Sequence, residues 1–136
     1  MTGPEMADRL RSVLSGRSDV RLAVLFGSHA RGTARPDSDV DVAIDAPGID
    51  DIALAVELSD ALGCEVDVVP LYNESIPLLS SIVRDGIVVH EARRGAFALF
   101  RSHSLAMLEI DLPWFRRMAN AMTEHLAGRS KSRERE

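Results

Sequence analysis

Two aspartates separated by one residue, Asp39 and Asp41, follow the pair Gly27-Ser28 after ten intervening residues. Alternate residues of a strand share a face, so these two carboxylates project to the same side. Like charges at that spacing repel, and without a counter-charge one of them tends to keep its proton. A divalent cation resolves the conflict, because carboxylate, phosphate and water oxygens are the ligands Mg²⁺ prefers. Gly27, at the end of an apolar run, lets the backbone turn tightly and come close to a ligand. The amides just after it, with the Ser28 hydroxyl, form a donor cluster suited to phosphate oxygens. Asp67 lies in the next run of alternating residues, on the polar face with Glu65 and Val69. If its strand lies beside the one carrying Asp39 and Asp41, three carboxylates converge. Two metal ions roughly 3.5–4 Å apart then stabilise the attacking and departing oxygens of an in-line phosphoryl displacement. A carboxylate not fully used by metal can take the acceptor's proton. Arg31, in the intervening loop, either approaches the phosphates or pairs with a nearby aspartate.

The elements that must position these groups follow from periodicity. Met6, Leu10, Val13 and Leu14 mark a short amphipathic helix closed by Gly16. Arg21 to Phe26 reads as a buried strand, and His29 to Ser38 as a loop with room for one helical turn. Asp39 to Asp45 alternates, with Val40, Val42 and Ile44 on one face and Asp39, Asp41 and Ala43 on the other. Asp50 or Asp51 caps a second helix, expected to turn Ile52, Ala55, Val56, Ser59 and Leu62 inward and to stop at Gly63. Cys64 to Pro70 is a strand with Val66 and Val68 on its apolar face. Asn73 or Ser75 opens a third helix, which tolerates Pro77 in its first turn and closes at Gly86. Ile87 to His90 is a short last strand. Helical residues then run from Arg94 to about Ala127, which as one straight rod would span on the order of 50 Å. Pro113 supplies a break, with Asp111 placed to cap the second segment. Leu99, Phe100, His103, Met107 and Ile110 form one stripe, and Phe97, Ser104 and Leu108 part of another; Trp114, Met118 and Met122 continue the apolar character. One stripe covers the sheet, and the second either meets a partner or is covered by the N-terminal helix.

Composition narrows the function classes. The 136 residues, 46% hydrophobic and 27% charged, suit one globular domain with one core. No apolar run approaches the roughly 18 residues of a membrane span, and Met1 to Gly16 lacks the apolar stretch of a signal peptide. One cysteine, Cys64, excludes an internal disulfide and fits a reducing compartment, so a cytoplasmic protein is expected. The net charge of −5 and 4% aromatic content leave no basic track with stacking rings, so no nucleic-acid partner is expected. Arg129, Lys131, Arg133 and Arg135 belong to a solvated tail, residues 128–136. His29, His90, His103 and His125 show no metal-ligand spacing and, with Cys64 and Tyr72, read as packing or surface filling.

The segment GSHARGTARPDSDVDVAI resembles the signature of the minimal nucleotidyltransferases of the polymerase-beta-like superfamily, agreeing also at Ala30-Arg31-Gly32 and Ser38. Gly86 to Glu91, with Phe97, Phe100 and Asp111-Leu112-Pro113 beyond, is similar to the tail of MNT-type antitoxins paired with HEPN ribonuclease toxins. The resemblance implies an α+β nucleotidyltransferase fold: a short mixed sheet carrying the acidic triad, flanked by helices, with a two-part helical C-terminus. Residues 1–92 are then the core and 93–127 a helical extension of the same domain and candidate partner surface. It further implies two Mg²⁺ ions, ATP as substrate, and transfer of AMP to a tyrosine of a HEPN-type toxin, which silences it. Carried over by position, Gly27, Ser28, Arg31 and Ser38 contact the nucleotide, Asp39 and Asp41 bind both metals, and Asp67 binds one and acts as base. His29 stands where many relatives carry arginine, so the resemblance implies the metal triad but does not carry over an extra phosphate contact at this position. Two other activities stay open: a binding-only antitoxin acting by occlusion, and transfer to a small-molecule hydroxyl. A template-independent RNA polymerase is disfavoured by the missing basic track.

Overall fold

The structure, a computed structural model, describes residues 2–72, 75–109, 117, 120 and 121. Helix α1 (Gly3–Leu14) starts where the Thr2 hydroxyl accepts from the Glu5 N–H, a cap worth about 1 kcal/mol. Strand β1 (Leu22–Phe26) follows and is buried along its whole length. Gly27 then turns the chain into α2 (Ser28–Arg31), a single helical turn stopped by Gly32 in the left-handed region. Beyond a loop come β2 (Val40–Asp45), α3 (Asp51–Leu62), β3 (Val66–Pro70), α4 (Ile76–Asp85) and β4 (Ile87–Glu91). Residues 96–109 form the described part of a fifth helix, α5.

The strands lie in the order β3-β2-β1-β4. β1 is antiparallel to both β2 and β4, while β2 and β3 run parallel. The parallel pair is a consequence of α3, because a strand–helix–strand crossover returns the chain in its original direction. Asp50 begins that crossover by accepting from the Ile52 and Ala53 amides, and Gly63 ends it with φ +70°. The sheet is therefore mixed, as expected for an α+β chain.

Each face of the sheet has its own core. Ala23, Leu25, Val40, Val42, Ile44 and Val66 pack with α1 and α3. Leu22, Val24, Phe26 and Ala43 pack on the opposite side with α4 and α5. The face of β2 that bears Asp41 thus becomes apolar one alternation later at Ala43. Leu54, Leu58 and Leu62 of α3 are buried, and each fully buried leucine contributes roughly 1.5–3 kcal/mol.

Two helices are rotated relative to the expectation from sequence. Ile52 and Val56 of α3, placed inward by periodicity, are 78% and 56% exposed. The leucines take the core side, and with apolar residues on most sides of this helix the larger buried area wins. In α5 the buried stripe is Phe100, Ser104 and Leu108, whereas Leu99 is 75% exposed and His103 is exposed. The strand expected from Cys64 starts at Val66, where the register with β2 begins at Val40, although the Glu65 carbonyl already accepts from the Val40 N–H. Ile110, Asp111, Pro113, Trp114, Met118, Met122, His125 and the tail 128–136 lie outside the described residues.

Candidate active site

The parallel register sets Asp41 of β2 directly beside Asp67 of β3. Neighbouring residues in register share a face, so these carboxylates stand on the same side of the sheet. Asp39, two residues before Asp41, and Glu65, two before Asp67, extend the acidic face toward the start of both strands. Carboxylate oxygens of Asp39, Glu65 and Asp67 all lie within 4.8 Å of one another, and all three residues are exposed. A hard divalent cation bridges oxygen ligands at such spacing, so the donor set fits a metal of that class. Glu65 is the member that sequence reasoning left out of the site. The signal was present, since Glu65 repeats relative to Asp67 the alternation that joins Asp39 to Asp41.

Asp41 occupies a different environment. It is partly buried, and burial, followed by the charges of Asp67 and Asp39, raises its carboxyl above the ordinary value of 3.8. His29 and Arg31 pull in the opposite direction but do not offset the rise. These couplings place Asp41 within electrostatic reach of both other aspartates of the expected triad.

Gly27 explains how Asp41 fits. Its φ of +76° and ψ of −154° belong to a region that only glycine populates freely. A Cβ at this position would collide with the Asp41 carboxylate, so the absence of a side chain admits both the turn and the close approach. Ser28 is the first residue of α2, adjacent to this turn.

The loop leading to Asp39 is tied at two points. The Arg35 N–H donates to the Ser38 hydroxyl at 2.8 Å, and the Ser38 N–H donates to the Arg35 carbonyl at 3.0 Å. The Ser38 hydroxyl, expected at the nucleotide, is thus engaged in its own loop. His29 is 93% buried, by a relative exposure of 7%. Its Nε2 lies 3.2 Å from the Ser38 carbonyl. A carbonyl only accepts, so the proton sits on Nε2, and the buried Nδ1 has no hydrogen-bond partner. His29 therefore straps the residue before Asp39 to α2, which is more than surface filling. Arg31 stands 3.8 Å from Asp85 at the end of α4 and also acts electrostatically on Asp41, so the structure shows it beside aspartates.

The sequence profile of the family described as Polymerase beta, Nucleotidyltransferase matches residues 8–94, which carry all of this geometry. The chain belongs to that family. Among nucleotidyltransferase relatives, it is 39% identical over 71 residues to the protein adenylyltransferase MntA of Shewanella oneidensis, a match covering 49% of this chain and 51% of that protein. A second protein adenylyltransferase MntA, from Thermococcus cleftensis, is 32% identical over 80 residues, 56% of this chain and 81% of that one. The chain thus spans about half the length of the first relative and most of the second. The nucleotidyltransferase fold also aligns with a crystallised toxin–antitoxin complex with AMP-PNP, at a TM-score of 0.70 and 25% identity, covering 86% of this chain and 98% of that one.

Proposed function

We propose that this chain is a cytoplasmic antitoxin that transfers AMP from ATP to a tyrosine hydroxyl of a HEPN-type toxin, with two Mg²⁺ ions as cofactors. The observation that carries the reading is the convergence of the Asp39, Glu65 and Asp67 carboxylates beside Asp41 and the Gly27 turn. The names of the two MntA relatives, and the toxin–antitoxin complex that shares the fold, support the choice of reaction and partner.

In this reading Gly27 and Ser28 hold the triphosphate, with Arg31 balancing its charge and Ser38 keeping the loop in place. Asp39, Asp41 and Asp67 are the metal ligands, and Glu65 joins them. When bound, the metal ions neutralise the phosphate oxygens and polarise the phosphorus. Asp67 takes the proton of the incoming hydroxyl. The acceptor oxygen then forms a bond to the α-phosphorus while the bond to the bridging oxygen breaks. Pyrophosphate leaves, and the tyrosine carries AMP as a phosphodiester. Residues 1–92 supply the chemistry, and the exposed apolar residues Leu99 and Met107 of α5 offer the toxin a surface in the extension 93–127.

The test is transfer of label from α-labelled ATP to the toxin in the presence of Mg²⁺. Asp39→Asn with Asp41→Asn abolishes labelling if the reading holds, and persistent labelling overturns it. Should the double variant still neutralise the toxin in cells at equal expression, occlusion is the better account.

A further inference from the structure

β3 closes one side of the sheet, and among the described residues no strand pairs with its outer edge. Between that edge and α3 runs an open groove of about 490 Å³. The two apolar side chains that α3 turns away from the core, Ile52 and Val56, line it. So do four carboxylate residues, Asp51, Asp60, Glu65 and Asp67, with no lysine or arginine. Glu65 and Asp67 border the groove at the β3 edge and also belong to the acidic cluster, whose carboxylates stand on the sheet face opposite α3, so a strand laid along this edge reaches both faces.

We infer that this groove docks the acceptor segment of the protein substrate, an extended basic stretch whose hydroxyl-bearing residue is delivered to Asp67. The inference rests on the function proposed above and specifies the class of acceptor. Sheet order supplies the direction of approach. Gly27 ends β1 and Asp67 lies on β3, so the two flank the β2 carboxylates from opposite sides. With the triphosphate at Gly27-Ser28, an in-line acceptor arrives from the β3 side, where the groove opens. Ladder alternation adds a backbone component. Glu65 and Leu71 bond toward β2, which leaves Val66 and Val68 facing outward. The Val66 N–H is already taken by the Ser59 hydroxyl at 3.0 Å, and Pro70 has no N–H to offer. Val68 is therefore the position at which an added segment pairs. Side chains of such a segment alternate, some meeting Ile52 and Val56 and others facing the carboxylates. Four acidic residues along the groove favour lysine or arginine around the reactive residue.

The experiment uses two fluorescein-labelled peptides with one tyrosine each, flanked by lysines in one and by glutamates in the other. Binding to the full chain is read by anisotropy without nucleotide, so it does not depend on turnover. The basic peptide is expected to bind at least tenfold more tightly, with amide shifts confined to residues 51–60 and 65–68. Ile52→Lys with Val56→Lys, at exposed positions that leave the core intact, is expected to weaken it at least tenfold while the affinity for ATP stays unchanged. Equal binding of both peptides, shifts elsewhere, or an unaffected double variant overturns the groove assignment. Loss of AMP transfer in the unaltered chain, with peptide binding retained, counts instead against the proposed function.

Discussion

Replacing Gly27 by alanine tests whether the turn and the carboxylate beside it are one device. The backbone conformation, φ +76° and ψ −154°, costs a non-glycine residue about 1–3 kcal/mol. The new methyl also meets Asp41 Oδ2, and crowding of a packed site adds about 1–3 kcal/mol. Gly63 provides the comparison, since its φ of +70° is left-handed but nothing lies within 4 Å of an added Cβ. Gly63→Ala should therefore cost only about 1–2 kcal/mol. With unfolding entropy near 2.1 cal/mol/K per residue, each kcal/mol shifts the midpoint of a chain this size by about 3–4 °C. Thermal unfolding followed by circular dichroism should then show a drop of roughly 7–20 °C for Gly27→Ala and about 3–7 °C for Gly63→Ala. The decisive arm is a double-mutant cycle with Asp41→Ala, which removes the obstructing carboxylate. Gly27→Ala should be milder in that background by at least about 1 kcal/mol. Additivity within about 0.3 kcal/mol, or a cost no greater than at Gly63, refutes the coupling.

Asp41 itself destabilises the metal-free protein at neutral pH. Its folded value is raised, so its contribution is fully present below the unfolded value and is lost as pH rises through the folded one. In EDTA, Asp41→Asn should raise the melting temperature at pH 7, and the gap to the unaltered chain should shrink toward pH 4; parallel curves would count against this. Glu65→Gln should weaken Mn²⁺ binding, read by electron paramagnetic resonance, about tenfold, with Asp8→Asn as an inert comparison. Leu58→Ala should cost about 2–5 kcal/mol in chemical denaturation, whereas Ile52→Ala should stay within about 0.5 kcal/mol. Ser59→Ala leaves the Val66 amide without its acceptor, so it should cost about 1–2 kcal/mol and speed hydrogen exchange at Val66.

The acidic cluster was more legible in the sequence than the packing. Asp39, Asp41 and Asp67 announce themselves because carboxylates on a strand otherwise gain little, and Gly27 because a strand end that must turn sharply admits few residues. The convergence of Asp67 on the pair required a parallel β2–β3 ladder, a long-range fact that local alternation does not contain. Glu65 repeats the same alternation beside Asp67, but only its closeness to Asp39 in space gives that alternation a use. In α3 the apolar residues occupy most of the circumference, so period alone could not choose between Ile52 with Val56 and Leu54 with Leu58. In α5 a small polar residue, Ser104, sits in the buried stripe between Phe100 and Leu108, a position that hydropathy does not mark as buried. His29 was unreadable as a strap because its partner is a backbone carbonyl, which carries no residue signature.

The loop between Ser28 and Asp39 behaves like a belt with its buckle already fastened. One helical turn, a glycine stop, the Arg35–Ser38 turn and the His29 fastening tie it down at successive points. An inserted or deleted residue would have nowhere to be absorbed and would carry Asp39 off its mark. Spacing in this segment therefore works as a measured length between the Gly27 turn and Asp39.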